Sequence, residues 1–340
     1  MKDDSIDEAQ LSHRLLSYLR EKLQDPQIEY SFPPEPLQGG YETRTYKFRL
    51  RGVREGWSKF LVLRLYPRAY GTHNAIWEST VQNVLAGEGY PVARAPIVCT
   101  DMAVLGGAFF IMDYMPGRPL MAAPWETIPE LLGKAHAELH RIDPTPLIAA
   151  LEAQGFDEHA YGLNGRFDWF RDRASRLPWL RGVMDWLIDH RPSESACLAV
   201  CHGDFHPLNI LVDGEKITGV LDWPGFAIAD PVFDVANTTV LMTIPARYGA
   251  QSREGFTSVD WDRVVERYLR AYQAHRSLDT TYLDYYKVLR CVRALVEGFE
   301  GQAIWQQPLI VEDLIACIQA ITGIRVQVPA LGSRPRRERR

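Results

Sequence analysis

Residues 201–212 read CHGDFHPLNILV, and this stretch decides the fold. It crowds a thiol, two imidazoles, a carboxylate and an amide into one segment beside apolar runs. Three readings compete: a transition-metal site on the histidines, a polar turn joining two strands, or a catalytic loop. His202 and His206 share a face only if the segment is helical. Gly203 and Pro207 oppose a helix there, which counts against the metal. Asp204 or Asn209 alone would read as a turn residue, because Asp and Asn favour turns.

The flanking sequence favours the loop. LAVCHGD is a strand running into polar residues, and NILVDGEKITGVLDW reads as a hairpin with a turn at Asp213-Gly214. Asn209 opens the first strand of that hairpin and Asp222 ends the second, so both sit at its open end, near Asp204. Two carboxylates and an amide oxygen suit a hard cation such as Mg²⁺. Four residues separate Asp204 from Asn209. The same spacing occurs in the kinase catalytic loop, where the Asp takes the proton of the substrate hydroxyl and the Asn holds a metal. Gly203 permits the tight turn before the Asp, and Pro207 stiffens the return.

Upstream, residues 5–24 have helical periodicity, with Leu11, Leu15, Leu19 and Leu23 on one stripe and Ser5 as the expected N-cap of a capping box closed by Glu8. The proline-rich PQIEYSFPPEPLQGG breaks that pattern. Tyr46, Phe48 and Leu50 alternate with Lys47 and Arg49 as a strand, and Leu61, Leu63 and Leu65 line one face of another. Residues 74–88 read as a helix with Trp77, Val81, Val84 and Leu85 on its apolar stripe. Arg64 is a cation inside the apolar run FLVLRLY and must be paired; Glu78, on the following helix, is the candidate. GAFFIMDYMPG is a buried strand ended by Pro116-Gly117. Beyond it, helices are expected after Pro124 and around 168–190, 260–276, 281–300 and 311–320, with one strand-like island at 197–222. The expected organisation is an N-terminal helix and linker (1–36), a strand-rich lobe (37–115), a mostly helical lobe (116–330) and a basic disordered tail (331–340).

HGDFHPLNIL followed by GVLDWPGFAIADPVFDVA resembles the aminoglycoside phosphotransferase and choline kinase-like enzymes, relatives of the protein kinases, over roughly residues 35–305. The resemblance implies an α+β, two-lobed, protein-kinase-like fold with a small β-rich N-lobe and a larger helical C-lobe. It implies ATP and Mg²⁺ as cofactors, Asp204 as catalytic base, and Asn209 and Asp222 as metal ligands. His202 would be structural support, and Asp234 would brace the loop or cap a helix. Gly39 and Gly40 would belong to the phosphate loop. Arg64, paired with Glu78, would stand where these enzymes often keep a Lys on the third strand. Asp113 and Met115 would offer backbone groups to adenine.

The chain has 340 residues, 46% hydrophobic and 24% charged, with a net charge of −5. That balance provides no global basic field for nucleic acid. Five cysteines without a CxxC pair suit a reducing compartment. The acidic start is unlike a signal peptide, and no apolar run approaches the roughly 20 residues of a membrane helix. A cytoplasmic enzyme with a small-molecule partner, and neither nucleic acid nor membrane, is therefore expected. The expected reaction is transfer of the γ-phosphoryl group of ATP to a hydroxyl. Two alternatives stay open: an antibiotic kinase for aminoglycosides or macrolides, and a non-catalytic nucleotide-binding pseudokinase. His136 and His140, also four apart, are expected to pack and hydrogen-bond rather than ligate metal.

Overall fold

The computed structural model describes residues 7–37, 43–192, 197–249 and 259–328. Two compact units form, lying within Met1–Arg118, Thr145–Gly155 and Ile210–Pro224 for the first, and Pro119–Pro144, Phe156–Asn209 and Gly225–Arg340 for the second.

The first unit is built on an antiparallel sheet of β1 (Glu29–Pro36), β2 (Arg44–Arg51), β3 (Phe60–Leu65), β4 (Ile97–Cys99) and β5 (Phe109–Asp113), in the spatial order β1-β2-β3-β5-β4. Period-two alternation divides its side chains between two faces. Leu61, Leu63 and Leu65 join Phe109 and Ile111 against Leu11, Leu15 and Leu19 of helix α1 (Glu8–Lys22). Each such fully buried Leu is worth about 2 kcal/mol over exposure. Tyr66 and Phe110 lie on the opposite face with Ala75 of helix α2 (His73–Gly87). Arg64 is cross-strand from Phe110 and shares that second face. The hairpin Ile210–Asp213/Lys216–Val220 also joins this unit, although its sequence falls within the expected 116–330 lobe. Thr218 Oγ1 donates to the Pro116 carbonyl at 2.5 Å, and Val220 N–H to the Pro91 carbonyl at 2.7 Å.

The second unit is mostly helical. Helices Leu163–Ser175, Arg181–Asp189, Pro231–Thr243, Leu283–Phe299 and Pro308–Thr322 share one apolar core with the short antiparallel pair Ala199–Cys201/Ala227–Ala229. Helices Ile128–His140 and Trp261–Gln273 pack closely beside them, and a Cβ at Gly133 would come within 2.6 Å of the Tyr268 carbonyl. A small β-rich unit and a larger helical one make up the expected α+β, protein-kinase-like architecture. No helix among the described residues is long and apolar enough to cross a membrane.

Several local expectations need correction. α1 begins at Glu8, and its N-cap is Asp7, whose Oδ1 accepts from the Ala9 N–H at 2.7 Å; Ser5 lies outside the described residues. The proline-rich stretch contains strand β1, and its prolines are tolerated because β1 is an edge strand. On α2, Trp77 and Val84 are only half-buried, while Glu78 and Gln82 are buried. The helix turns these polar groups inward because Glu78 has a cation to meet on the sheet. The hairpin loop is Gly214-Glu215, between the paired Asp213 and Lys216, with Gly214 at φ +60°. Asp234 does not cap a helix: Asp230 is the N-cap of Pro231–Thr243 and accepts from Val232 N–H at 3.0 Å.

Candidate active site

Strand Ala199–Cys201 delivers the chain into the loop at His202–Gly203-Asp204. Gly203 has φ +78°, and a Cβ there would collide with the carbonyl of Gly225, so only glycine fits. Asp204 Oδ2 lies 3.4 Å from His206 Nε2. His206 Nδ1 accepts from the Leu208 N–H at 3.3 Å, and its Nε2 also lies 3.2 Å from Asn209 Nδ2. Asn209 closes the loop: its Nδ2 donates to the Asp204 carbonyl at 3.0 Å and lies 3.4 Å from Asp204 Oδ2. The Asp204 side chain is 38% exposed and so open to a ligand. Partial burial works to raise its carboxyl. His206 first, then Arg290 and His202, overcome that and hold it well below the usual carboxylate range. Asp204 is therefore an ionised acceptor at neutral pH.

The loop is held from beneath by Asp234, which is fully buried. Its carboxylate accepts the backbone N–H of His202 at 2.5 Å and of Gly203 at 2.8 Å. It also faces His136 Nε2 at 3.0 Å and His140 Nε2 at 3.3 Å. The outer nitrogens of these rings meet Tyr268 Oη at 2.7 Å and Tyr272 Oη at 2.8 Å. An ionised carboxylate can only accept, so both imidazoles donate from Nε2 and both tyrosines donate to Nδ1. Burial pushes His136 down, and pushes His140 down to about 4, so both are neutral. Asp234 is pulled well below its ordinary value, because His136 and His140 outweigh its own burial. His136, His140 and Asp234 could also ligate a metal by position, but each ring nitrogen already has a hydrogen-bond partner. His202 Nδ1 accepts from the Asp204 N–H at 3.3 Å, and its ring packs edge-on to Phe205.

The first unit has its own ionic cluster. Arg64 Nε lies 3.0 Å from Glu78 Oε2, and Arg64 Nη2 donates to Asp222 Oδ1 at 2.8 Å. Glu78 further accepts from Tyr66 Oη, from Gln82 Nε2 at 3.2 Å and from the Trp223 backbone N–H. Burial opposes the Arg64 charge, yet Glu78, Tyr66 and Asp222 hold its pKa above the ordinary guanidinium range. Burial raises the Glu78 carboxyl above its ordinary value, with Arg64 and the Tyr66 hydroxyl acting against that rise. Asp222 has φ +69°, a left-handed conformation that Asp tolerates better than most residues and that concentrates at functional sites. Its side chain is 47% exposed. Asn209 immediately precedes Ile210, which pairs with Val220, two residues before Asp222.

The remaining expected positions are more peripheral. The Asp113 N–H is engaged by the Arg94 carbonyl at 2.9 Å, and its carboxylate pairs with Lys59 at 2.8 Å. The Met115 side chain lies against Gly219. Gly39 and Gly40 lie outside the described residues, as does the basic tail. Sequence reasoning missed Tyr268 and Tyr272. Their four-residue spacing copies that of His136 and His140 on the facing helix, and this matched periodicity is the signal that could have found them.

Known proteins resemble this chain. The chain is 27% identical over 269 residues to acyl-CoA dehydrogenase family member 10 of Mus musculus, covering 71% of this chain and 24% of that one. It spans about a quarter to a third of the length of the first curated relatives it matches. It is 25% identical over 191 residues to an aminoglycoside 3'-phosphotransferase of Streptomyces fradiae, covering 54% of this chain and 67% of that one. Among solved structures, the macrolide 2'-phosphotransferase of Brachybacterium faecium superposes with a TM-score of 0.54 at 19% identity, covering 92% of this chain and 99% of that one. That likeness extends the kinase-like fold to nearly the whole chain. The family model matching residues 34–286 takes in both ionic clusters and the loop between the two motifs, and the chain belongs to the phosphotransferase enzyme family.

Proposed function

We propose that this protein transfers the γ-phosphoryl group of ATP to a hydroxyl group of a small molecule. The observation that carries the reading is the loop itself. An exposed, ionised Asp204 has its backbone fixed through Asn209 on one side and Asp234 on the other. A carboxylate so placed can orient an acceptor hydroxyl and take its proton. The acceptor oxygen then bonds to the γ-phosphorus as the bond to the β,γ-bridging oxygen breaks, and ADP leaves. Positioning and electrostatics do most of this work. Arg64, charged and anchored by Glu78, is suited to phosphate oxygens, which a guanidinium grips bidentately.

Asn209 and Asp222 would hold Mg²⁺. The donor set fits: Asn209 spends its Nδ2 on Asp204, leaving Oδ1, and Asp222 is an exposed carboxylate with only Oδ1 on Arg64. The ion would supply charge to offset the phosphates. Asp113 and Met115, at the end of β5, would meet adenine; with the Asp113 N–H engaged, its carbonyl and Met115 are what remain to offer. The likeness to aminoglycoside and macrolide phosphotransferases supports an antibiotic as a second choice of acceptor.

The test is purified protein with Mg-ATP and a broad hydroxyl library, read by ADP release and by mass spectrometry of the acceptor. The reading expects at least one acceptor to gain a phosphoryl group. Mg-ATP binding without transfer to any member would favour the pseudokinase instead.

A further inference from the structure

We propose that Tyr268, acting through His136, is a positioning residue for the Asp204 carboxylate. The proposal rests on the phosphotransfer reading above and deepens it. Every residue involved lies in the second unit.

Asp234 holds the loop on the side before Asp204, through the N–H groups of His202 and Gly203. Other contacts hold the side after it. The Phe205 ring is fully buried and lies flat on the His136 ring, with centroids 4.1 Å apart and planes 16° from parallel. The Phe205 carbonyl accepts from Thr238 Oγ1 at 2.8 Å, and Thr238 stands one turn beyond Asp234 on helix Pro231–Thr243. His136 thus serves both sides of the base: its Nε2 donates to Asp234 at 3.0 Å, and its face carries Phe205. A turn of the ring, or a proton moved to Nδ1, would break the bond to Asp234. Tyr268 Oη, 2.7 Å from Nδ1, prevents both, because a hydroxyl that donates there requires the proton on Nε2.

The second arm differs. His140 lies 3.3 Å from Asp234 Oδ2 and is backed by Tyr272 Oη at 2.8 Å, but among the described residues no ring contact joins His140 to the loop. Tyr268 and Tyr272 are both fully buried on helix Trp261–Gln273, and their hydroxyls make bonds of the same kind and nearly the same length. Only the Tyr268 arm reaches the residue next to Asp204. Folding stability should therefore register the two hydroxyls alike, whereas catalysis should register Tyr268 more. A carboxylate slightly displaced from the acceptor hydroxyl slows the reaction without weakening the binding of either substrate.

The test sets Tyr268→Phe beside Tyr272→Phe, each of which removes one hydroxyl and keeps the ring. Their melting temperatures should fall by similar amounts. With Mg-ATP and an identified acceptor, kcat should fall about tenfold in Tyr268→Phe and about threefold or less in Tyr272→Phe, with both KM values near those of the wild type. A double-mutant cycle shows whether Tyr268 acts through the base. In Asp204→Asn, adding Tyr268→Phe should slow single-turnover transfer by less than about twofold, because the group it positions is gone. A tenfold loss in both backgrounds overturns the proposal, as does an equal loss of kcat in the two tyrosine variants. Amide hydrogen exchange needs no acceptor: exchange at Gly203 and Asp204 should be faster in Tyr268→Phe than in Tyr272→Phe. That result without turnover of any acceptor supports the Tyr268 arm and removes the reaction. Equal exchange with turnover intact overturns the arm and leaves the reaction standing.

Discussion

Glu78 and Asp234 are both buried carboxylates at the centre of a hydrogen-bond cluster, one in each unit, yet they are satisfied in opposite ways. Glu78 is met by a cation, Arg64, which reaches past it to the exposed Asp222. Asp234 is met by two backbone N–H groups and two neutral imidazoles, each backed by a tyrosine hydroxyl. The first cluster has a charge with one side turned toward solvent, so it can take part in handling a charged ligand. The second is closed, and what it fixes is backbone. A buried anion satisfied by neutral donors holds a loop, whereas one satisfied by a cation that reaches a second carboxylate keeps that cation in place for use.

The largest effect should follow from opening the closed cluster. Asp234→Ala leaves four donors without their acceptor and should cost about 3–5 kcal/mol. Chemical denaturation should show the loss, and Asp204-dependent turnover should fall with it, because the loop backbone is no longer held. The comparison breaks if Asp234→Ala is as stable as the wild type.

Altering the open cluster should be milder for folding and specific for function. Arg64→Lys keeps the charge but loses the planar fork that spans Glu78 and Asp222. Turnover should drop about tenfold and the KM for ATP should rise, with the melting temperature shifted by only a few degrees. A large loss of stability with normal kinetics would make Arg64 a structural ion pair like any other.

The smallest effect concerns pH. The folded pKa of His140 is lowered from 6.5 to about 4, so the unfolded chain binds its proton first. Stability is therefore full above pH 6.5 and falls as pH drops from 6.5 toward 4. The loss from this residue is at most about 3 kcal/mol. Melting temperatures measured across that window should decline, and His140→Gln should flatten the decline. A flat profile in the wild type would mean that the histidines do not sit neutral on Asp234.

The two clusters also differed in how far the sequence revealed them. Arg64 stood out because a cation in the middle of FLVLRLY demands a partner, and Glu78 was the acid on the next helix. The contact of Arg64 with Asp222 spans 158 residues and carries no local signal. The loop residues Asp204 and Asn209 were legible from spacing and turn chemistry, and Asp234 was read as a brace or a helix cap, whereas the cap proved to be Asp230. Tyr268 and Tyr272 were hidden because aromatic residues on an amphipathic helix look like ordinary core. β1 was hidden because three prolines disguise a strand that needs hydrogen bonds on one side only.

The central claim is that Asp204 receives the proton of an acceptor hydroxyl. Asp204→Asn is nearly isosteric, and the Asp204 carbonyl that Asn209 bonds is unchanged by it. With an acceptor identified, single-turnover phosphoryl transfer by this variant should be at least 10³-fold slower than by the wild type, within the range of about 10²–10⁴ for lost acid–base catalysis, while Mg-ATP binding by calorimetry is retained. Transfer at the wild-type rate, with nucleotide binding intact, would contradict the account.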